Sequence, residues 1–236
     1  MNLFFITGSS RGIGKALVEK LLSDDQNKVI GISRSNSFEH HSFNHIPLNL
    51  ANLDEVKEFD FFADNLDAAE NISLVLNAAA LEPVGHIGKL NADNLIINYN
   101  INIAATALLI NKFVEKFGER RGEHKIISIS SGAGKKAIDG WFAYCSSKAA
   151  TDMQIRVLNE DLRQNRYNIK ARAIAPGIVD TEMQNTIRSQ KVQNFSAVET
   201  FKDYYKNGDL RSPGFVANEL IKVINNIDEY NEIDRI

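Results

Sequence analysis

Short apolar segments alternate with longer segments of helical period along most of this chain. Alternation of this kind predicts parallel strands with helices on both faces of one doubly wound α/β sheet, because each crossover helix returns the chain to the same edge. The predicted strands span residues 3–7, 28–33, 45–48, 73–77, 125–130 and 169–175. The predicted helices span residues 12–22, 53–66, 91–117 and 143–164.

The composition fits one α/β domain and argues against several other classes of protein. The chain has 236 residues, of which 44% are hydrophobic, so it can bury one sizeable core. Its 27 basic and 30 acidic residues give a net charge of −3 without a long run of one sign. That balance disfavours nucleic acid or a lipid surface as a partner. We therefore predict a single domain over residues 1–236.

Neither a targeting segment nor a metal site is predicted. The first strand begins too close to residue 1 for a signal peptide, and the longest apolar run, 103–110, is too short to span a bilayer. Cys145 is the only cysteine and is expected to be a small packed thiol. His40, His41 and His45 lack carboxylate or cysteine partners at ligand spacing. We expect a cytoplasmic protein without a metal.

A glycine-rich turn joins the first predicted strand to the first predicted helix. Gly8 permits a tight exit from the strand, Gly12 lets the backbone approach a pyrophosphate, and Gly14 allows close packing of helix on strand. The amino end of the helix supplies N–H groups and a partial positive charge. The spacing differs from G-x-G-x-x-G, but its place between strand and helix predicts a dinucleotide site. The residues of that site are Thr7, Gly8, Ser10, Arg11, Gly12, Ile13 and Gly14.

The end of the second predicted strand indicates which dinucleotide binds. An acidic residue about twenty positions after the turn would bind the ribose hydroxyls of NAD, whereas an arginine suits the 2′-phosphate of NADP. Arg34 stands twenty positions after Gly14, and Arg11 adds a second cation. Guanidinium groups match phosphate geometry well. We therefore predict NADPH as the cofactor.

Three polar residues in the second half of the chain predict a site that reduces a C=O group. Tyr144 and Lys148 are four positions apart, so they project from the same face of a helix. A cation at that distance is expected to lower the pKa of the phenol from about 10 toward neutrality. Ser131, thirteen positions before Tyr144, has a hydroxyl that can hold a carbonyl oxygen beside the phenol.

These motifs together resemble those of the short-chain dehydrogenase/reductase family. The match extends over about 180 residues, from the glycine turn to Pro176-Gly177-Ile178-Val179-Asp180-Thr181, and includes the three-residue gap between Tyr144 and Lys148. The segments 140–148, 180–184 and 210–213 further resemble the bacterial benzil reductase and sepiapterin reductase branch. The resemblance implies a Rossmann-type fold and suggests a homodimer or homotetramer.

The resemblance also implies a role for each residue of the site. Ser131 would bind the substrate carbonyl, Tyr144 would donate a proton to it, and Lys148 would hold the nicotinamide ribose and lower the pKa of the phenol. Asn102 would anchor a water molecule through which Lys148 regains its proton. The other implied cofactor-binding residues are Asn49, Leu50, Asn77, Ala78, Ala79, Pro176, Gly177, Val179 and Thr181.

Three features depart from the family pattern. The usual Asn-Asn-Ala-Gly segment is Asn77-Ala78-Ala79-Ala80, so one amide and the last glycine are missing. The acidic residue that usually follows the third strand is Asn49, which can still bond an adenine amine. The C-terminus lacks the usual Asp-Gly-Gly, which leaves the last strand unassigned.

The substrate pocket is expected beneath a lid at about residues 182–212. This segment is polar and aromatic without a clean period, and an insertion after a strand end lies over the ligand crevice. Trp141 is predicted either to wall the pocket or to anchor packing, and Met183 is predicted to contact substrate. The lid aromatics that would close over an apolar substrate are Phe195, Phe201, Tyr204 and Tyr205.

The sequence therefore predicts an NADPH-dependent reductase of a ketone or an α-dicarbonyl, with a benzil-like or sepiapterin-like substrate implied by the resemblance. The main alternative is a non-catalytic NADPH-binding regulator, which the complete set of Ser131, Tyr144 and Lys148 disfavours. A sugar-nucleotide epimerase or dehydratase is disfavoured by the chain length and the glycine spacing. An enoyl reductase is disfavoured because that group spaces its Tyr and Lys more widely.

Overall fold

The computed structural model describes residues 1–36, 38–64 and 66–236, and this part of the chain forms one seven-stranded parallel sheet. The strand order is β3-β2-β1-β4-β5-β6-β7, so the direction of winding reverses between β1 and β4. This confirms the predicted doubly wound sheet. The strands are β1 (Asn2–Thr7), β2 (Asn27–Ser33), β3 (Phe43–Pro47), β4 (Asn71–Leu76), β5 (His124–Ile129), β6 (Ile169–Ala175) and β7 (Ile233–Arg235).

Helices cover both faces of this sheet. A π-helical turn, Asn100–Ala104, interrupts the long helix predicted over residues 91–117 and separates α3 from α4. The helices are α1 (Gly12–Leu21), α2 (Leu53–Glu58), α3 (Ala92–Tyr99), α4 (Ala105–Phe117), α5 (Phe142–Asn165), α6 (Glu182–Arg188), α7 (Val198–Lys206) and α8 (Pro213–Asn225).

The central strands are apolar on both faces because each face carries its own core. In β1, Leu3 and Phe5 pack in a core shared with α2, α4 and α5. Phe4 and Ile6, which alternate with them, pack in a second core beneath α1 and α8. This alternation explains why the strands read as continuous apolar runs rather than as alternating patterns.

The helix predicted over residues 53–66 is wrong in its second half. Residue 65 lies outside the described residues, and α2 ends at Glu58. The backbone of Phe59, which follows the helix, is extended. Phe59, Phe61 and Ala63 are buried while the residues between them are exposed, so the burial has a period of two. Burying one face of this extended segment prevents the helix from continuing.

The segment 182–212, predicted to be irregular, contains two helices. Glu182–Arg188 forms α6 and Val198–Lys206 forms α7, and the two pack against each other. The following helix α8, also absent from the prediction, begins where the Ser212 side chain accepts a hydrogen bond from the backbone N–H of Phe215. Strand β7 has three residues and pairs with the end of β6, which is too short a segment for periodicity to detect.

No helix within the described ranges combines the length and the apolar character that crossing a bilayer requires.

Phe61 should contribute far more to stability than its neighbour Phe62. The Phe61 ring is fully buried and meets Phe5 edge-on at 4.9 Å and Phe113 at 5.5 Å, whereas Phe62 is 65% exposed. We expect Phe61→Ala to lower the free energy of unfolding by about 3–5 kcal/mol, because it leaves a cavity among the buried aromatic rings of the core. Phe62→Ala should change it by less than about 0.5 kcal/mol. Urea denaturation measures both, and equal losses would contradict this account.

Candidate active site

A cleft of about 1120 Å³ opens along the carboxyl edge of the sheet. It is large enough for a dinucleotide and a small substrate together, since pockets for single small ligands span roughly 300–1000 Å³. Because all seven strands are parallel, the segments that follow them meet at this edge. The sequence-predicted residues that line the cleft are Gly8, Ser10, Arg11, Gly12, Ile13, Arg34, Asn49, Leu50, Asn77, Ala78, Ala79, Ser131, Trp141, Tyr144, Lys148, Pro176, Gly177, Val179, Thr181 and Met183.

The β1–α1 turn has the backbone that its glycines predict. Gly8 and Gly12 lie in the left-handed region, with φ values of +66° and +56°. A Cβ on Gly14 would lie 2.2 Å from the carbonyl oxygen of Gly8, so only glycine allows this approach of α1 to β1. No side chain caps the amino end of α1. Its first-turn amides therefore suit a pyrophosphate.

Thr7 and Gly14 support the turn instead of lining the cleft. Thr7 is buried, and its hydroxyl donates to the carbonyl of Val75 and accepts from the backbone N–H groups of Asn77 and Ala78 at 3.0 Å. The Asn77 amide donates to the carbonyls of Thr7 and Gly8 at 3.0 and 3.1 Å. Thr7 and Gly14 therefore lie behind the cleft wall, and their predicted contact with the cofactor stays a prediction.

The two predicted phosphate-binding arginines differ in their surroundings. Arg34 is exposed at the end of β2 and lines the cleft. Arg11 also lines the cleft, but its guanidinium forms an ion pair with Glu182 at the start of α6. The ion pair satisfies part of the charge of Arg11 and connects the glycine turn to α6. Arg34 is therefore the stronger candidate for an anionic partner.

Asn49 lines the cleft just after β3, and its predicted contact with adenine stays a prediction. Its backbone N–H donates to the Glu55 carboxylate at 3.1 Å, and its side-chain oxygen accepts from the N–H of Ala51 at 3.2 Å. The side-chain oxygen thus forms a hydrogen bond within the loop after β3, which leaves the NH₂ group of the amide to bind other partners.

Ser131, Tyr144 and Lys148 converge where β5 meets α5. Ser131 follows β5, and its hydroxyl oxygen accepts from the N–H of Ala133 at 3.2 Å, which leaves the hydroxyl proton to be donated. Tyr144 and Lys148 lie one turn apart on the buried face of α5, with the Lys148 ammonium 5.7 Å from the Tyr144 ring centre. The same ammonium donates to the carbonyl of Ile129 at 2.7 Å. The structure therefore brings the three predicted catalytic side chains together.

Burial sets the protonation states of this pair. It raises the pKa of Tyr144 to about 12, with the Ser131 hydroxyl acting in the opposite direction. It lowers the pKa of Lys148 to about 8, with the charge of Asp152 acting in the opposite direction. The prediction that Lys148 lowers the pKa of Tyr144 toward neutrality is wrong for this arrangement. The ammonium is directed at Ile129, and loss of solvent dominates.

Asn102 lies in the π-helical turn and fastens the segment after β4. Its side-chain oxygen accepts from the N–H of Ala80 and its NH₂ group donates to the carbonyl of Ala80, both at 2.8 Å. The NH₂ group also contacts the Asn98 side chain and the Ser147 hydroxyl at 3.0 Å. Asn102 therefore links this segment to α5, behind the cleft wall. Its predicted role in proton relay stays a prediction.

Asn98 is a buried residue that the sequence reasoning missed. Its NH₂ group donates to the carbonyls of Ala80 at 2.9 Å and Glu82 at 2.7 Å, and it also lies 3.4 Å from the carbonyl of Leu81. Together with Asn102 it holds residues 80–82, which line the cleft. An asparagine four positions before Asn102 was the available signal, because i and i+4 share one helix face.

The segment after β6 forms the opposite wall. Gly177 has a φ of +78° and turns the chain toward Val179. Val179 pairs with Arg211 in a parallel bridge that uses the carbonyl of Ile178 and the N–H of Asp180. The N–H of Val179 therefore points to the other side, where Val179 lines the cleft. Thr181 follows and also lines it, as predicted.

Trp141 both lines the cleft and anchors packing. It is buried against Phe195 at 5.1 Å and meets the Tyr144 ring edge-on at 5.5 Å. Its indole N–H is buried without a hydrogen-bond partner in the described part of the chain. Trp141 therefore forms an aromatic wall next to the phenol of Tyr144.

The helices α6 and α7 supply the rest of the apolar wall. Met183, Phe201 and Tyr204 line the cleft as the sequence predicts. Phe195 is fully buried behind them, and Tyr205 is 56% exposed and stacks on Arg188, so these two are corrected from cleft residues to supports. The lining residues that the prediction missed include Leu81, Gln184 and Ile187.

The remaining sulfur and imidazole groups lie apart from this chemistry. Burial raises the pKa of the Cys145 thiol, whose sulfur lies 3.7 Å from the carbonyl of Lys136. This agrees with a packed thiol. His40 and His41 stack on each other at 4.3 Å, and His45 contacts the Ser33 hydroxyl and carbonyl.

The chain is similar to known proteins in both its sequence and its fold. The family model described as short chain dehydrogenase matches residues 2–192. A benzil reductase ((S)-benzoin forming) of Bacillus subtilis is 32% identical over 228 residues, which cover 95% of this chain and 93% of the relative. The Bacillus cereus benzil reductase is 32% identical over 243 residues, with coverage of 98% and 96%. A short-chain dehydrogenase/reductase structure from Saccharomyces cerevisiae has a TM-score of 0.84 at 26% identity, covering 100% of this chain and 95% of that one.

The buried ammonium of Lys148 should make stability depend on pH. Between pH 8 and pH 10 the unfolded lysine keeps its proton while the folded one loses it, because burial lowers the folded pKa from 10.5 to about 8. The free energy of unfolding should therefore rise with pH in this window. We expect the rise to be larger by about 2 kcal/mol in the wild type than in Lys148→Met. Urea denaturation at pH 8 and pH 10 measures the difference, and parallel curves for the two proteins would contradict it.

Proposed function

Because the chain belongs to the short-chain dehydrogenase/reductase family, we propose that it reduces a ketone or an α-dicarbonyl to a secondary alcohol with NADPH. The observation that carries the proposal is the convergence of Ser131, Tyr144 and Lys148 beside the aromatic wall of the cleft. This convergence supports proton donation by Tyr144 to a carbonyl that Ser131 holds.

The residues of the cleft fit a dinucleotide. The close approach at Gly14 and the open left-handed turn at Gly12 leave the first-turn amides of α1 to hold a pyrophosphate. The NH₂ group of Asn49 would bind adenine, and Lys148 would bind the nicotinamide ribose. The Val179 N–H and the Thr181 hydroxyl would bind the carboxamide. When bound, the nicotinamide supplies a hydride to the carbonyl carbon.

The protein's own groups supply the proton and fix the carbonyl. Ser131 donates its free hydroxyl proton to the carbonyl oxygen as a hydrogen bond and orients the bond toward Tyr144. As the carbon gains the hydride, the oxygen becomes an alkoxide and takes the phenolic proton of Tyr144, so a secondary alcohol and a phenolate result. Because burial raises the pKa of Tyr144 to about 12, the phenol is protonated at neutral pH and has a proton to donate.

The preference for NADPH rests on Arg34. Its guanidinium is exposed at the end of β2, where an acidic residue would be needed to bind free ribose hydroxyls. Arg11 stands nearby, but its ion pair with Glu182 must be broken or shared before it can bind phosphate. Arg34 therefore supplies the main phosphate contact in our proposal and Arg11 a secondary one.

An aromatic carbonyl compound is the substrate class that the pocket favours. Trp141, Phe201 and Tyr204 give flat, apolar surfaces beside Tyr144, and Met183 adds an adaptable one. Benzil, the substrate named for the two Bacillus relatives, is an aromatic α-dicarbonyl and fits this chemistry. Sepiapterin tests the same pocket with a more polar ring system.

Self-association is a further part of the proposal. Exposed apolar side chains lie on α3 and α5, the helices that resemble the dimer faces of the family. They are Ile96, Ile97, Phe142, Met153 and Val157. An exposed apolar set of this kind supports a homodimer or homotetramer.

Tyr144→Phe should abolish reduction and spare cofactor binding. The change removes the proton donor but keeps the buried ring, so we expect kcat with benzil to fall by at least about a thousandfold while NADPH affinity stays within about twofold. NADPH oxidation at 340 nm and fluorescence titration measure the two quantities. Tyr167→Phe, at the far end of α5, is the matched control.

The same measurements separate the alternatives. Loss of NADPH binding in Tyr144→Phe would mean that the residue is structural. Tight NADPH binding by the wild type without turnover of benzil, sepiapterin or simple ketones would favour a non-catalytic NADPH-binding regulator over a reductase.

Arg34→Asp should shift the cofactor preference from NADPH toward NADH. It removes the guanidinium and adds a carboxylate that repels the 2′-phosphate and can bind ribose hydroxyls. We expect the ratio of kcat/KM for NADPH over NADH to fall by about a hundredfold or more. Arg166→Asp is the charge-matched control, because Arg166 is exposed at the other end of the sheet and Asp tolerates its left-handed φ of 57°. An unchanged ratio in Arg34→Asp would remove Arg34 from the phosphate site.

A further inference from the structure

Asp152 is a buried carboxylate that the proposed reaction does not use. It is 4% exposed and lies on α5 one turn after Lys148, which is 5% exposed. Burying a carboxylate costs free energy unless it meets hydrogen-bond donors or a cation. Asp152 therefore needs such partners at its position one turn from Lys148.

Two contacts join the buried face of α5 to the carboxyl end of β5. The hydroxyl of Ser130 donates to the Asp152 carboxylate at 2.5 Å, and the Lys148 ammonium donates to the carbonyl of Ile129 at 2.7 Å. The backbone N–H of Ser130 is held by the carbonyl of Ile174 at 2.9 Å. Ser131 is the next residue along the chain, so these contacts fix the point from which its side chain projects.

The turn after Ser131 closes over the carboxylate. A Cβ on Gly134 would lie 3.1 Å from the Asp152 Oδ2 atom and 3.0 Å from the carbonyl carbon of Lys148. The absence of a side chain at Gly134 thus lets the 3₁₀ turn Gly132–Gly134 pack directly on this part of α5. Asp152 is sealed between the turn, β5 and its own helix.

We propose that Asp152 is a positioning residue: its charge keeps Lys148 protonated, and its hydrogen bond with Ser130 holds Ser131 beside Tyr144. The proposal rests on the proposed reductase function for the role of Ser131. The coupling between Asp152 and Lys148 rests on their burial one helical turn apart on α5 and does not depend on that function.

Other charges near α5 do not duplicate this role. Tyr144 shares the buried face of the helix, and Tyr99 bonds Ser146 on its rim. Within the described ranges, the charged groups on the other elements packed against α5 are all at least partly exposed to solvent. They are Asp93 on α3, Lys135 and Lys136 after β5, Lys170 and Arg172 on β6, and Asp234 and Arg235 on β7. Asp152 is the group whose charge raises the pKa of Lys148 against the effect of burial.

Two single variants separate the charge of Asp152 from its hydrogen bond. Asp152→Asn removes the charge and keeps an oxygen that accepts from Ser130. Ser130→Ala keeps the charge and removes the hydrogen bond. The readouts are the pH profile of kcat for benzil reduction with NADPH and the pH dependence of unfolding by urea between pH 6.5 and pH 10.

We expect the two variants to differ in both readouts. In Asp152→Asn, the alkaline fall in kcat and the rise in unfolding free energy should both move to lower pH by about one unit, because Lys148 loses its proton more easily. In Ser130→Ala, both should stay at the wild-type pH while kcat falls by about tenfold, because Ser131 is less well placed. Unmoved profiles in Asp152→Asn would overturn the charge role. A wild-type kcat in Ser130→Ala would overturn the positioning role.

A double variant keeps the test decisive if Asp152→Asn folds poorly. The proposal predicts that Lys148→Met restores stability to Asp152→Asn, because the uncompensated cation is gone. Equal destabilisation by Asp152→Asn with and without Lys148 would overturn the coupling. The unfolding measurements need no turnover, so a wild type inactive toward every carbonyl tested would count against the proposed function while leaving the coupling to be judged by urea denaturation.

Discussion

The packing of α5 against the carboxyl end of β5 is the constraint on which the site depends. The sheet is parallel, so every strand delivers its following segment to one edge, and at β5 two side chains of α5 bond to the end of the strand and to the residue after it. Two hydrogen bonds fix the position of Ser131 relative to Tyr144. One runs from Lys148 to the carbonyl of Ile129, and the other runs from Ser130 to Asp152. The relative positions of Ser131, Tyr144 and Lys148 thus follow from one helix–strand contact.

This contact places two charged groups in the core, which sets it apart from ordinary packing. A cation and a carboxylate at 5% and 4% exposure are retained at a site where hydrophobic residues of the same volume would pack with no charge to desolvate. Their burial has a chemical effect, because loss of solvent brings the pKa of Lys148 to about 8 and keeps the phenol of Tyr144 protonated. The buried charges therefore lower the stability of the fold, and the same burial sets the protonation of its site.

Sequence patterns predicted the sheet and the polar half of the cleft because those depend on local spacing. The glycine turn and the Tyr144–Lys148 pair are read from positions a few residues apart, and Arg34 is read from its fixed distance of twenty positions after Gly14. The failures depend on tertiary surroundings. Burial overrides the helical pattern after Glu58 and raises the pKa of a phenol that has a lysine one turn away. Asp152 and Asn98 were missed because their burial is decided by neighbours distant in the sequence.

The two halves of the cleft differ in how strongly the chain specifies them. In our proposal the cofactor half uses much backbone, namely the left-handed glycines, the first-turn amides of α1 and the Val179 N–H, together with the side chains of Arg34 and Lys148. The substrate half is made of side chains on α6 and α7, two short helices joined to the glycine turn by the exposed ion pair between Arg11 and Glu182. An exposed pair contributes about 1 kcal/mol or less, so α6 and α7 are held mainly by the buried cluster that Ile187 and Val198 form with Trp141 and Phe195. In our proposal the reaction is therefore predicted from the motif residues, whereas the substrate depends on the side chains that this cluster presents to the cleft and is found by assay.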